Sequence, residues 1–118
     1  MVMTLKQISK GDFSHYIIEI DIKNSFSNNE LKSKVKNLLK ILNLNIVKIF
    51  EYNFKPHGAT IAFILSSSHL VIHTWPEYNY VHIDLFCCKK LMPSDKLEKL
   101  LQRDFQSTKT LVRKVKYA

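Results

Sequence analysis

The chain has 118 residues, with 18 Lys and Arg against 10 Asp and Glu, and a formal charge of +8. One domain fits that length, and folding removes roughly two-thirds of the unfolded chain's surface, enough for a core without disulfide or metal staples. An apolar content of 46% with only two glycines and three prolines excludes a disordered, collagen-like or linker chain.

From the amino terminus, residues 15–22 alternate strictly. Tyr16, Ile18, Ile20 and Ile22 point one way and His15, Glu19 and Asp21 the other, which predicts a strand with one buried face. Ser27 followed three positions later by Glu30 predicts a capping box. Leu31, Val35, Leu38, Leu39 and Leu42 then share one face, with Lys32, Lys36 and Lys40 on another, so 28–43 reads as an amphipathic helix. Ile46–Phe54 reads as a second strand, and Lys55-Pro56-His57-Gly58 as a turn. Ala59–Ser66, Leu70–Trp75 and Tyr80–Cys88 follow as strands, the last two joined through Pro76-Glu77-Tyr78-Asn79. Asp95 and Glu98 predict a second capping box ahead of a shorter helix carrying Leu97, Leu100, Leu101 and Phe105. Residues 108–117 fit either a last strand or a frayed tail.

Short connections between these elements argue for an α+β fold, a two-layer sandwich whose mostly antiparallel sheet has both helices on one face. Residues 1–118 form a single domain in this reading. The second sheet face is left open. In the fifth strand Val81, Ile83, Leu85 and Cys87 make a continuous apolar side for the helices, whereas Tyr80, His82, Asp84, Phe86 and Cys88 face away. That outward side is too aromatic for plain solvent, so a ligand or a second copy of the chain should cover it, making a homodimer the expected state.

No apolar run reaches the roughly 18 residues of a membrane helix. Met1-Val2-Met3-Thr4-Leu5-Lys6 lacks the apolar stretch and cleavage site of a secretory leader, and the adjacent Cys87 and Cys88 are poorly placed for a structural disulfide. A reduced, cytoplasmic protein is the expectation. Residues 89–118 carry nine basic and three acidic side chains. That tail reads first as a solvated face. A small basic nucleic-acid-binding module would explain its charge, but not the chemistry gathered elsewhere.

The chemistry is densest from Ser66 to Glu77. On a strand, His69, Val71, His73 and Trp75 share a side, and pairing with the fifth strand should bring His73 and Trp75 near Asp84, Phe86 or Cys88. A metal site of His69, His73, His82 and Cys88 lacks any close ligand pair, and a hydrolase lacks the GxSxG elbow. His15, His57 and His82 need no function beyond that of half-exposed side chains, and three serines before a strand are ordinarily polar loop. The residues alone give a polar, aromatic pocket on a sheet surface, and no particular reaction.

The order Pro56-His57-Gly58-Ala59-Thr60, Ser68-His69, His73-Thr74-Trp75-Pro76-Glu77 and Asp84-Leu85-Phe86-Cys87-Cys88 closely resembles the prokaryotic S-adenosylmethionine decarboxylase proenzymes. The resemblance implies that Ser68 becomes a covalent pyruvoyl cofactor after cleavage between Ser67 and Ser68, giving a β chain 1–67 and an α chain 68–118. It implies roles for His73 and Thr60 in that cleavage, for Cys88 as proton donor in decarboxylation, and for Phe54, Trp75 and Glu77 in binding substrate. No metal enters. The substrate implied is S-adenosyl-L-methionine, its carboxyl lost while a Schiff base to the pyruvoyl ketone draws in the electrons. A flat ring suits adenine, a carboxylate suits ribose hydroxyls, and aromatic faces suit a sulfonium.

The pattern departs at several positions. Ser67 stands where glutamate usually precedes the cleaved serine, Lys89 where glycine often follows the cysteine, and His82 and Asn79 where small residues are common. Relatives act on arginine or ornithine, so a basic amino acid is the alternative substrate. A homologue unable to process, acting as a structural partner, is a further alternative.

Overall fold

The computed structural model describes residues 12–117. The segment Met1–Lys6, read above for a leader, lies outside the described residues. Strand β1 (Ser14–Ile22) buries alternate side chains, with Tyr16, Ile18 and Ile20 all inward. Helix α1 (Asn28–Ile41) starts from a complete capping box. The Glu30 N–H donates to Ser27 Oγ at 3.1 Å, and the Ser27 N–H donates to Glu30 Oε1 at 3.0 Å. The helix stops at Ile41 rather than at residue 43, because Asn43 adopts a left-handed φ of 58° and turns the chain away.

Strands β2 (Ile46–Asn53), β3 (Ala59–Leu65), β4 (Ser68–Trp75) and β5 (Tyr80–Cys87) form a meander, with a short 3₁₀ turn at Pro76–Tyr78 before β5. Helix α2 (Ser94–Phe105) leads into β6 (Ser107–Lys114), which pairs with β1, so the carboxy-terminal segment is a strand and not a frayed tail. The sheet runs β2-β3-β4-β5-β1-β6, every neighbour antiparallel. Leu31, Val35 and Leu38 of α1 and Leu97, Leu101 and Phe105 of α2 join Ile18, Ile61, Ile72 and Ile83 in one apolar cluster, so both helices cover the same sheet face. This is the two-layer α+β sandwich that the alternation predicts.

Three expectations need correction. The second capping box does not form. Pro93 is the N-cap and its carbonyl accepts from the Lys96 and Leu97 N–H groups, so the helix begins before Asp95, which falls within the first turn. Strand β4 begins at Ser68 instead of Leu70, since only Ser66 and Ser67 are needed to join β3 to β4. The third concerns register. The turn at Pro76–Asn79 pins Trp75 opposite Tyr80, and counting back places His73 opposite His82, Val71 opposite Asp84 and His69 opposite Phe86. It is His69, not His73 or Trp75, that meets Phe86, while of the neighbours expected for His73 only Asp84 stays within electrostatic reach.

The open face of the sheet is aromatic and apolar with imidazoles set into it. Phe50, Tyr52 and Ile64 are among its exposed large side chains.

Candidate active site

The expected site residues fall into two groups at opposite ends of β4. The first surrounds the turn between β3 and β4. Ser67 holds φ at 61°, a left-handed value that suits glycine and costs a serine about 1 kcal/mol. The Cys88 thiol, just past the end of β5, donates to the Ser67 carbonyl oxygen at 3.1 Å. Ser68, half-buried, follows at once, and its hydroxyl donates weakly to the Ser66 carbonyl at 3.4 Å. These residues line a cleft of about 300 Å³ together with Asn43, Asn45 and Lys89. Cys87, on the opposite strand face, is fully buried; burial pushes its thiol up, and it belongs to the core.

The second group lies where β3 and β4 run toward Trp75. Thr60 Oγ1 is 2.8 Å from His73 Nδ1, a hydrogen bond in which the hydroxyl donates when that nitrogen carries no proton. Burial holds the His73 imidazole below its ordinary value of 6.5; the neighbouring His82 adds to the effect and Asp84 opposes it. Beside this pair, Phe54, Trp75 and Glu77 line a pocket of about 390 Å³. Phe54 is 52% exposed and edge-on to Tyr52, so it is no part of the core. Gly58 shapes the wall: its φ is 97°, and a Cβ there would lie 3.1 Å from the Thr74 carbonyl oxygen.

A strand rises about 3.3 Å per residue, so the five steps from Ser68 to His73 span about 16 Å and the seven to Trp75 about 23 Å. One copy of the chain therefore keeps the serine and thiol apart from the hydroxyl–imidazole pair and the aromatic pocket. The pattern of alternation gives no warning of this, because it reports faces and not distances along a strand.

Some interactions escape a reading of the sequence. His57 Nε2 lies 2.9 Å from a Glu77 carboxylate oxygen, a partner for a histidine expected to be simply half-exposed. On the open face Asp84 Oδ1 lies 2.9 Å from His15 Nε2 and 3.4 Å from His69 Nε2, while His15 Nδ1 meets the Tyr117 hydroxyl at 2.7 Å. The hairpin register could have located Asp84 beside this end of β4; the pairing of His15 needed the β1–β5 contact. Among the described residues no group of three His, Cys, Asp or Glu is placed to hold a metal ion.

A serine hydroxyl thus adjoins a carbonyl that accepts a hydrogen bond from a thiol, and a partly buried imidazole pairs with a hydroxyl, a set of groups suited to acyl and proton transfer on an α+β frame. The S-adenosylmethionine decarboxylase family model matches residues 15–117. An S-adenosylmethionine decarboxylase proenzyme of Clostridium botulinum is 36% identical over 81 residues, covering 69% of this chain and 70% of the relative. One from Thermoplasma volcanium is 38% identical over 64 residues, covering 54% and 49%. The fold matches the crystal structure of an adenosylmethionine decarboxylase from Aquifex aeolicus with a TM-score of 0.70, at 23% identity over 88% of each chain. The chain belongs to the S-adenosylmethionine decarboxylase family, whose members are pyruvoyl-dependent and generate that group from one of their own serines. It is accordingly a pyruvoyl-dependent decarboxylase.

Proposed function

We propose that the chain cleaves itself between Ser67 and Ser68 and that the product, a β chain 1–67 with an α chain 68–118, decarboxylates S-adenosyl-L-methionine to S-adenosylmethioninamine, the aminopropyl donor for spermidine synthesis. The observation that carries this is the Cys88 thiol on the Ser67 carbonyl, at the peptide bond that Ser68 would attack.

Cleavage begins when Ser68 Oγ adds to the Ser67 carbonyl carbon and the peptide C–N bond gives way to an ester. The thiol hydrogen bond supports negative charge on the carbonyl oxygen as addition proceeds. Removal of the Ser68 Cα proton then breaks its Cβ–Oγ bond, and Ser67 departs as a carboxylate. Water displaces ammonia from the resulting dehydroalanine, leaving pyruvoyl at residue 68. The local geometry fits this group. Ser68 is at the head of a strand, behind a backbone turn already in a left-handed conformation, with the Cys88 thiol hydrogen-bonded to the carbonyl before it.

The pyruvoyl ketone, once formed, acts as an electron sink for loss of carbon dioxide. This chain's own residues bind, orient and move protons around it. Cys88 supplies a proton to the substrate α-carbon. Trp75 and Phe54 offer faces to adenine and the sulfonium, and Glu77 accepts from ribose hydroxyls. His73, its hold on a proton weakened by burial and its ring bonded to Thr60, serves as the base or acid in processing.

These parts meet only if two copies associate. The open, aromatic sheet face supplies the surface, and a two-fold arrangement brings the Ser68–Cys88 end of one copy over the Thr60–His73–Trp75 end of the other. Each of the two sites then draws on both chains.

Carbon dioxide release tests the substrate. The purified protein should act on S-adenosyl-L-methionine in preference to arginine or ornithine. A preparation cleaved at Ser68 that releases it only from a basic amino acid would overturn this substrate assignment and leave the cleavage standing.

A further inference from the structure

Lys89 directly follows Cys88 and lines the cleft that holds the serine turn. Its Nζ donates to the Asn43 carbonyl oxygen at 2.9 Å, at the carboxy-terminal end of α1, where a cation is favoured by the helix dipole. The same loop grips the turn, since the Ser66 N–H donates to the Asn45 carbonyl at 3.1 Å. Lys89, Ser67 and Cys88 thus line one cleft of about 300 Å³. The residue before the cut is Ser67, a neutral side chain, and among the described residues that line the cleft none carries a carboxylate before cleavage.

We propose that Lys89 is the receptor for the carboxylate that cleavage creates at Ser67, and that it stabilises that carboxylate as it leaves. This rests on the self-cleavage reading above. When the ester is resolved, the Ser68 Cα proton goes to a base, the Cβ–Oγ bond breaks, and its electron pair stays on the oxygen, which departs as part of the Ser67 carboxylate. Negative charge grows in the cleft that Lys89 lines. The ammonium is already held near by Asn43, so little side-chain freedom remains to be lost when it turns to the new terminus. A carboxylate–ammonium hydrogen bond is among the stronger polar contacts. Lys89 is a positioning and charge-stabilising residue here; it exchanges no proton with the substrate.

The alternative is that Lys89 merely caps α1. That role would matter equally before and after cleavage, and this distinguishes the two. Lys89→Met is made in the native chain and in a Ser68→Ala chain, which cannot cleave, and both are followed by thermal melting and intact mass. Hydroxylamine, which splits esters, reports any stalled intermediate. The inference expects Lys89→Met to lower the Tm of the cleaved protein by about 3–6 °C more than that of the uncleaved one. It also expects several-fold accumulation of the hydroxylamine-sensitive ester, with Lys89→Arg restoring both. Should Lys89→Met fail to fold, high salt applied to the native and Ser68→Ala proteins gives the same comparison, the cleaved one losing more stability.

Equal losses in the two backgrounds, with no ester accumulating, would reduce Lys89 to a cap and overturn the inference. A raised KM without any difference in stability would assign Lys89 to the substrate carboxylate and overturn it equally. A native chain that stays at full length, with nothing for hydroxylamine to split, would instead overturn the cleavage itself and the inference with it.

Discussion

At His73, burial and the proximity of His82 both oppose a positive charge, and the Thr60 hydroxyl sits 2.8 Å from the ring nitrogen. The neutral imidazole persists to lower pH than a free histidine would allow. Self-cleavage that uses this ring as a base should therefore hold its rate below the ordinary value of 6.5 and fall only at more acid pH. A time course of fragment formation between pH 4 and 8, followed by mass, checks this. An acid limb centred at or above the free value would contradict it. His73→Ala should slow cleavage by about 10²- to 10⁴-fold, and Thr60→Val by less, because the hydroxyl acts through the ring. At this scale the sequence is informative about identity and silent about pairing. The serine, thiol, imidazole and aromatic positions all stand in recognisable runs, but the His57–Glu77 and His15–Asp84 contacts join residues 20 and 69 positions apart.

Strand β2 is an edge strand whose residues are nearly all exposed. Glu51 ties it to α1. Its carboxylate accepts from Lys32 Nζ at 2.6 Å and from Asn28 Nδ2 at 3.0 Å, with Asn53 as a third donor, and these bonds, Lys32 foremost, pull it down to about 2. A carboxyl depressed on folding adds stability above its unfolded value of 4.5, and that contribution disappears as pH falls toward 2. The groups are partly open to solvent, so Glu51→Gln should cost only about 0.2–1 kcal/mol at neutral pH. The gap between native and variant proteins in denaturant melts should close between pH 4.5 and 2. A gap independent of pH would contradict the account. Ser27→Ala, which removes the observed cap, should cost about 1 kcal/mol at neutral pH.

Elements were legible where their signal is local. Alternation in β1 and β5, and the capping box of α1, depend on neighbours a few positions away. The start of α2 was not, because the carbonyl of Pro93 takes the first helical bonds in place of a side chain. Nor was the exact partner of His73, which depends on how many residues the Pro76–Tyr78 turn consumes.

For the whole molecule, the decisive feature is the length of β4. It holds Ser68 at one end and Trp75 at the other, about 23 Å apart, with His73 between them and nearer Trp75. No alternation or motif could reveal that Ser68 and His73 stand this far apart in one copy, since a motif in order along the chain looks the same whether its parts meet within one copy or across two. Co-expression of Ser68→Ala and His73→Ala chains tests this directly. Over the time in which the native chain is fully cut, each alone should stay essentially whole and inactive. In a mixed dimer one site combines the intact Ser68 and Cys88 of the His73→Ala chain with the intact Thr60 and His73 of the other. The His73→Ala chain should then be cut, and random pairing should restore about a quarter of native activity. A mixture with confirmed mixed dimers in which that chain remains whole would show that serine and imidazole must belong to one copy, contrary to the two-chain site.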